Sequence, residues 1–308
     1  MPIPLGILAA AGFAPAALGV AGYFGGGNAT TIDKFAFPSD SRSTLGTGLS
    51  IQGRPQGFSN SGVAGYFSIG FNGSTRVSTV NKVTFPGDSV TTLGTGLSSN
   101  KNDMGAFANS GVAGYFGGGG FGITATVDKF AFPGDSRSTL GTGLSQARRG
   151  LGGFSNFGVA GYFAGGQNDP TQYSTVDKFA FPGDSRSTLG TGLSASTSFL
   201  AAFDNQAVAG YTLGGFSSGS RVATVNKFAF ASDSRSTLGT GLSATTGDNA
   251  GTSNYLVAGY VGGGRIDEST IVSTIDKFAF PSDSRSTLGT GLSSARHELG
   301  AMSNCGVL

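Results

Sequence analysis

STVDKFAFPGDSRSTLGTGLS, residues 174–194, decides the fold of this 308-residue chain. In Asp177-Lys178-Phe179-Ala180-Phe181, as in Asp33-Lys34-Phe35-Ala36-Phe37, alternation puts two Phe on one face, the period-2 mark of a half-buried strand. Pro182-Gly183-Asp184 then reads as a turn, and Thr188 to Ser194 as a short outer strand. The stretch recurs, with the first Leu of its TLGTGLS segment at Leu45, Leu93, Leu140, Leu189, Leu238 and Leu288, a spacing of 47 to 50 residues. Six copies at that period mean a repeat architecture.

Working outward, a run like VAGYF precedes each copy, with Tyr23, Tyr66, Tyr115, Tyr162, Tyr211 and Tyr260, and a short segment such as GAFAN (residues 105–109) precedes most of these. The unit thus has four strands, A (GAFAN), B (VAGYF), C (TVDKFAF) and D (STLGTGLS), and no stretch carries a helical period. Four-stranded units that cannot bury both faces alone close radially as an all-β propeller of six blades. The last A strand, Gly300 to Asn304, comes at the end of the chain. It is expected to lie innermost beside Val20 to Phe24, closing the ring, because Pro15 would break residues 12–18 as a central strand.

These residues resemble the kelch family of propellers. Tyr162-Phe163-Ala164-Gly165-Gly166, Val176 to Phe181 with the Pro182-Gly183-Asp184 turn, and Thr188 to Ser194 follow the family's order of strands, over residues 19–308. The chain departs from the family in having no Trp.

Gly and Pro make up 55 and 10 residues, about a fifth of the chain and below the level typical of structureless low complexity. One Cys and one His exclude a disulfide framework and a His-rich zinc site, and a net charge of +2 gives no electrostatic case for nucleic acid. No nucleophile elbow or phosphate loop is present, so no catalytic residue, metal ligand or cofactor site is expected. His297 with Glu298 is the one acid/base pair to weigh, and Cys305 with Tyr alone makes no copper site.

Most charges belong to the repeat. The turn Asp (Asp40, Asp88 and their counterparts) is expected to bond its own turn rather than calcium, and the repeated Lys (Lys34, Lys129) to make blade-to-blade bonds rather than a cationic ring. Asn60, Asn109, Asn156, Asn205, Asn254 and Asn304 read as turn caps, with a ligand site at the channel mouth as the alternative.

Residues 1–18 form an apolar arm outside the repeats, with no charge before Asp33. The arm lacks the basic start of a signal peptide and is too short for a membrane span, so it is expected to attach the propeller to a partner through Ile3, Leu5, Ile7, Leu8 and Phe13. Its opening, MPIPLGILA, and the KFAFPSDSRSTLGTGLS wording also resemble virion structural proteins of tailed phages from marine and freshwater bacteria. That resemblance implies a non-enzymatic capsid decoration, fibre or tail-associated adhesin located in the virion, joined to other virion proteins by the arm. The alternative is a cytoplasmic or secreted kelch-like carbohydrate-binding protein or sugar-processing enzyme. A ligand-holding channel predicts at least three convergent polar residues outside the repeat, whereas a virion component predicts that no titratable cluster stands there.

Loop lengths point to one face. From the C-strand Asp or Asn to the D-strand Leu the separation is 12 in every copy, and from Asn to Tyr across AB it is 6, whereas Tyr to Asp or Asn across BC runs 10, 15, 13, 15, 15 and 16. Variable loops on a rigid scaffold are where binding sits. The BC/DA face is therefore the candidate recognition surface for a host-surface glycan or protein, with Arg76, Arg148, Arg149, Tyr173, Arg221, Arg265, Asp267 and Glu268 as contacts.

Overall fold

The computed structural model describes residues 20–120 and 122–305; the arm residues Ile3, Leu5, Ile7, Leu8 and Phe13 lie outside that range. The repeats form six antiparallel four-stranded sheets, blades I to VI, arranged as a β-propeller. Blade IV comprises Gly152–Asn156, Ala160–Ala164, Val176–Ala180 and Ser185–Thr188, running outward from A to D. No helix among the described residues is long and apolar enough to cross a membrane.

Ring closure follows the expected route. Leu299–Asn304 is strand A of blade I and pairs antiparallel with Ala21–Gly26, with Tyr23 opposite Met302 and Gly26 opposite Leu299. Each A strand also packs beside the A strands of both neighbouring blades, so the inner ring is continuous.

Strand D differs from the sequence reading. It is the SRST segment, such as Ser185–Thr188, and the following LGTGL leaves the sheet. The second Gly of GTG crosses close over the start of strand C, and a Cβ on Gly192 would lie 2.3 Å from the Ser174 carbonyl oxygen. That crossing delivers Leu193 and its counterparts into the core, 4–7% exposed.

The core consists of six apolar clusters, each shared by two adjacent blades. In the cluster between blades III and IV, Phe107 of strand A lies against Phe163 and Phe179 of the next blade. Gly161 has no side chain because the Phe107 ring occupies its place, 2.0 Å from where a Cβ would stand. Tyr115 of strand B stacks on Phe181 of the next blade at 5.8 Å, and the other five tyrosines do the same at 5.1–5.7 Å.

The turn aspartates complete each junction. Tyr23 Oη donates to Asp88 Oδ1 at 2.8 Å, and Lys34 Nζ reaches Asp88 Oδ2 at 2.6 Å. The same pair of bonds recurs on Asp135, Asp184, Asp233, Asp283 and Asp40. All six aspartates are left-handed, with φ of 53–55°. The lysines thus bridge blades, as expected, but the aspartates' carboxylates serve the preceding blade rather than their own turn. Burial and the carboxylate it bonds raise each tyrosine pKa far above its ordinary value, so the phenol remains a donor.

The asparagine ring is likewise a junction. Asn60 Oδ1 accepts from Gly111 N at 2.8 Å, Asn109 from Gly158 N at 3.1 Å and Asn304 from Gly62 N at 3.1 Å. It is these acceptor-bonded residues, Gly62, Gly111 and Gly158, that take positive φ, not the asparagines.

Closure predicts a test. Deleting residues 301–308 removes most of strand A of blade I. The truncated chain is expected to lose its single cooperative melting transition in calorimetry; an unchanged transition would contradict closure.

Candidate functional site

The BC and DA loops are pinned to one another. Short hairpins form at Gln167–Asn168 with Thr171–Gln172 and at Phe216–Ser217 with Ser220–Arg221. Isolated bridges then tie DA to BC in four blades, at Asn102 with Gly120, Arg149 with Gln167, Ser198 with Phe216 and Gly247 with Arg265.

Four of the expected contacts gather on this face. Arg221 pairs with Glu268 at 2.8 Å, and Arg265 pairs with Asp248 at 2.7 Å and with Glu268 at 3.3 Å. Arg149 stands over the Phe199 ring at 5.5 Å and pairs with Asp103 and Asp169. Between them lies a cleft of about 160 Å³, lined by Gln167, Phe199, Phe216, Arg221, Arg265 and Glu268 among others. Glu268 is 80% exposed by side chain, and its two arginine partners lower its pKa.

The other four are placed differently. Arg76 donates to Asn102 at 3.3 Å and lies over Phe71, away from the cleft. Asp267 accepts from Ser269 N and Thr270 N at 2.8 and 2.7 Å, which holds its pKa down at about 2 and makes it the cap of its own loop. Tyr173 is half-buried, with its amide bonded to Gly166 O. Arg148 corrects the sequence reading. It is fully buried and donates to Gly165 O at 2.8 Å, Thr175 O at 2.9 Å and Asp177 Oδ2 at 2.8 Å. The register of strand C puts a carboxylate under the DA loop, and the guanidinium neutralises it, so no surface partner can reach Arg148.

Sequence reasoning weighed Glu298 with His297 but missed the axial ring to which Glu298 belongs. Five residues after the Ser of each GLS stand Pro55, Asp103, Gly150, Phe199, Asp248 and Glu298. Their backbones link in series, Gly150 N to Asp103 O, Phe199 N to Gly150 O, Asp248 N to Phe199 O and Glu298 N to Asp248 O, at 2.6–2.9 Å. Asp103, Asp248 and Glu298 therefore converge on the axis, each met by an arginine: Arg149, Arg265 and Arg54. The enclosed space is about 30 Å³, room for water but not for a sugar. Burial raises the Asp103 pKa to about 6, against the pull of Arg54 and with a push from Glu298. His297 Nδ1 lies 3.4 Å from Glu298 Oε2 and is 13% exposed. An alignment of the DA loops on GLS is the signal that finds this register.

Deeper in the channel, Asp204 occupies the position held by Ser59, Ala108, Ser155, Ser253 and Ser303 in the other blades. Its carboxylate keeps some channel-facing surface, yet protein surrounds it, and Ser155 N at 3.2 Å and Ser155 Oγ at 3.3 Å are its donors. Burial lifts its pKa to about 7. Nearby Cys305 donates to Ser253 O, and burial pushes its thiol up to about 12, far from a reactive thiolate. Among the described residues, no group of three or more His, Cys, Asp or Glu is arranged to hold a metal ion.

No protein-family model matches the chain, and no curated protein is similar to it.

Two predictions follow from the buried charges. Asp204 has a folded pKa of about 7 against 3.8 for the free side chain, so it is protonated more readily when folded and its burial costs stability as pH rises between those values. Asp204→Ser should leave stability at pH 4 nearly unchanged and raise it at pH 8 by roughly 2–4 kcal/mol, at about 1.4 kcal/mol per pH unit between the two pKa values; urea melts at both pH values measure this. Arg148→Ala leaves Asp177 buried with only the outer Arg186 at 3.9 Å as a cation, which should cost up to about 3–5 kcal/mol. Adding Asp177→Asn, the residue natural at Asn81 and Asn226, should recover most of the loss.

Proposed function

We propose that this chain is a non-enzymatic interaction protein, a kelch-like propeller of a phage virion, serving as capsid decoration, fibre or tail-associated adhesin. The observation that carries this reading is the inequality of its two faces. On the AB/CD face the turns keep one length in the repeats, and Val20, Val63, Val112, Val159 and Val208 stand 46–52% exposed in equivalent places, with Phe157 and Leu256 exposed beside them. An apolar ring of this kind suits a permanent protein contact. The chain enters the propeller there, at Val20, so attachment through residues 1–18 and this ring to other virion proteins leaves the opposite face outward.

The BC/DA face carries the charges that do not repeat, on loops held by backbone bridges. The 160 Å³ cleft joins two phenyl rings to fixed arginines, a glutamate and a glutamine, a lining suited to a host-surface glycan or the polar tip of a protein.

A second reading, a cellular or secreted carbohydrate-binding protein or sugar-processing enzyme, draws on the convergence of Asp103, Asp248 and Glu298 at the axis, which supplies the three polar residues outside the repeat that a ligand channel predicts and departs from the cluster-free channel expected of a virion component. Their neutralisation by three arginines in about 30 Å³ favours a plug over a ligand chamber.

The two readings separate on one experiment. Arg221→Ala combined with Glu268→Ala should weaken binding to host cells or to hits on a glycan array by tenfold or more, about 1.4 kcal/mol. Arg221 is 9% exposed by side chain and lies over Phe216, so a urea melt of the variant must show it folded for lost binding to count. Retained binding by this variant, with loss on Asp103→Asn or Glu298→Gln, would favour the second reading.

A further inference from the structure

The six blade junctions follow a charge-matching rule that one of them breaks. At each junction the Ser of GLS donates to the C-strand Asp or Asn of the next blade. Three residues after that Ser come Gly53, Lys101, Arg148, Thr197, Thr246 and Arg296. The cations lie opposite carboxylates: Lys101 on Asp128 at 3.0 Å, Arg148 on Asp177 at 2.8 Å, and Arg296 on Asp33. Gly53 and Thr197 lie opposite the neutral Asn81 and Asn226. Of the three uncharged residues at this position, Thr246 alone lies opposite a carboxylate, Asp276, which is 5% exposed.

Where a cation side chain would stand, this junction has a cavity of about 60 Å³ whose lining includes Asp276, Thr246, Val261, Gly263 and Thr274 beside further apolar side chains. Val261, Gly263 and Thr274 are in register with Phe163, Gly165 and Thr175, whose carbonyl oxygens accept from Arg148 at 3.3, 2.8 and 2.9 Å. Gly26 and Thr31 do the same for Arg296 at 3.0 Å. The acceptor set that holds a guanidinium twice in this chain is thus built a third time without one.

The other charged group facing Asp276 is Arg285, 3.7 Å from Oδ1 on the outer side. It does not stand in for the missing cation, because Arg137 and Arg186 occupy the same outer position at 3.9 Å from Asp128 and Asp177, which carry a buried cation as well. The donors on Oδ2 are Ser243 N and Oγ, present in equivalent form at Asp177 and Asp33. Asp276 keeps Arg285 and the Thr287 hydroxyl on Oδ1 but lacks the inner cation of its counterparts, and an external cation of the right shape would fill that place.

We infer that the cavity between blades V and VI binds a guanidinium or ammonium head group supplied from outside the chain. The inference is independent of the virion reading. Either a free small cation or an arginine or lysine side chain of a partner supplies this chemistry.

Calorimetric titration with methylguanidinium at constant ionic strength tests it, on the wild type, on Asp276→Asn and on Thr246→Arg. Asp276→Asn installs the residue natural at Asn81 and Asn226, and Thr246→Arg installs the one natural at Arg148 and Arg296, so both variants are compatible with the fold. The wild type should bind saturably with a Kd of roughly millimolar order. Asp276→Asn should weaken binding at least tenfold, and Thr246→Arg should abolish it while raising the melting temperature. Tighter binding of N-acetyl-arginine amide than of methylguanidinium identifies a partner side chain as the source; binding of methylguanidinium alone identifies a free cation. No saturable binding to the wild type, or equal binding by all three proteins, would overturn the proposal.

Discussion

A left-handed aspartate that accepts a tyrosine hydroxyl on one oxygen and a lysine ammonium on the other sets how each blade sits on the next. The six copies differ by no more than 0.2 Å in the tyrosine bond, from 2.6 to 2.8 Å. A hydrogen bond to a charged group contributes about 1.5–3 kcal/mol, whereas a partly exposed ion pair adds about 1 kcal/mol at most. The tyrosine bond is therefore the stronger arm, and the lysine chiefly aims the carboxylate. Because the aspartate, the tyrosine and the stacked phenylalanine must meet across each junction, the CD and AB turns cannot change length. The constraint ends with strand B, which leaves the BC loops free to differ.

A second set of polar contacts lies beneath the opposite face. The alternation of Asp and Asn in strand C looks like drift when each repeat is read alone. Read against the preceding DA loop, it follows charge: Asp128, Asp177 and Asp33 face a buried cation, and Asn81 and Asn226 do not. The repeats thus co-vary across junctions, and the energetic unit is a pair of neighbouring half-blades, as the six shared apolar clusters also indicate.

The propeller, its six blades and the C-terminal closure were legible because each rests on local alternation and on counting strands. The lysine bridges were legible in kind. The destination of the turn aspartates was not, since a left-handed Asp is satisfied by its turn as far as the local sequence can tell, and only the ring brings Tyr115 to Asp184. Arg148 misled for the same reason: it adjoins Arg149 in a variable loop, but one points inward to Asp177 and the other outward to Asp169. Of the expected recognition residues, Arg149, Arg221, Arg265 and Glu268 do gather beside one cleft, while the shared register of Asp103, Asp248 and Glu298 shows only when the DA loops are aligned on GLS, which the reading of each repeat alone does not prompt.

The junction itself is the place to measure. A double-mutant cycle on Tyr115→Phe and Asp184→Asn, read by urea unfolding, isolates the bond between blades III and IV, because Asn keeps the left-handed turn and Phe keeps the stack on Phe181. The account predicts a coupling energy of at least about 1 kcal/mol between the two positions. Additive effects, within about 0.3 kcal/mol, would mean that the blades are held by apolar packing alone and that the aspartate latch is incidental to it.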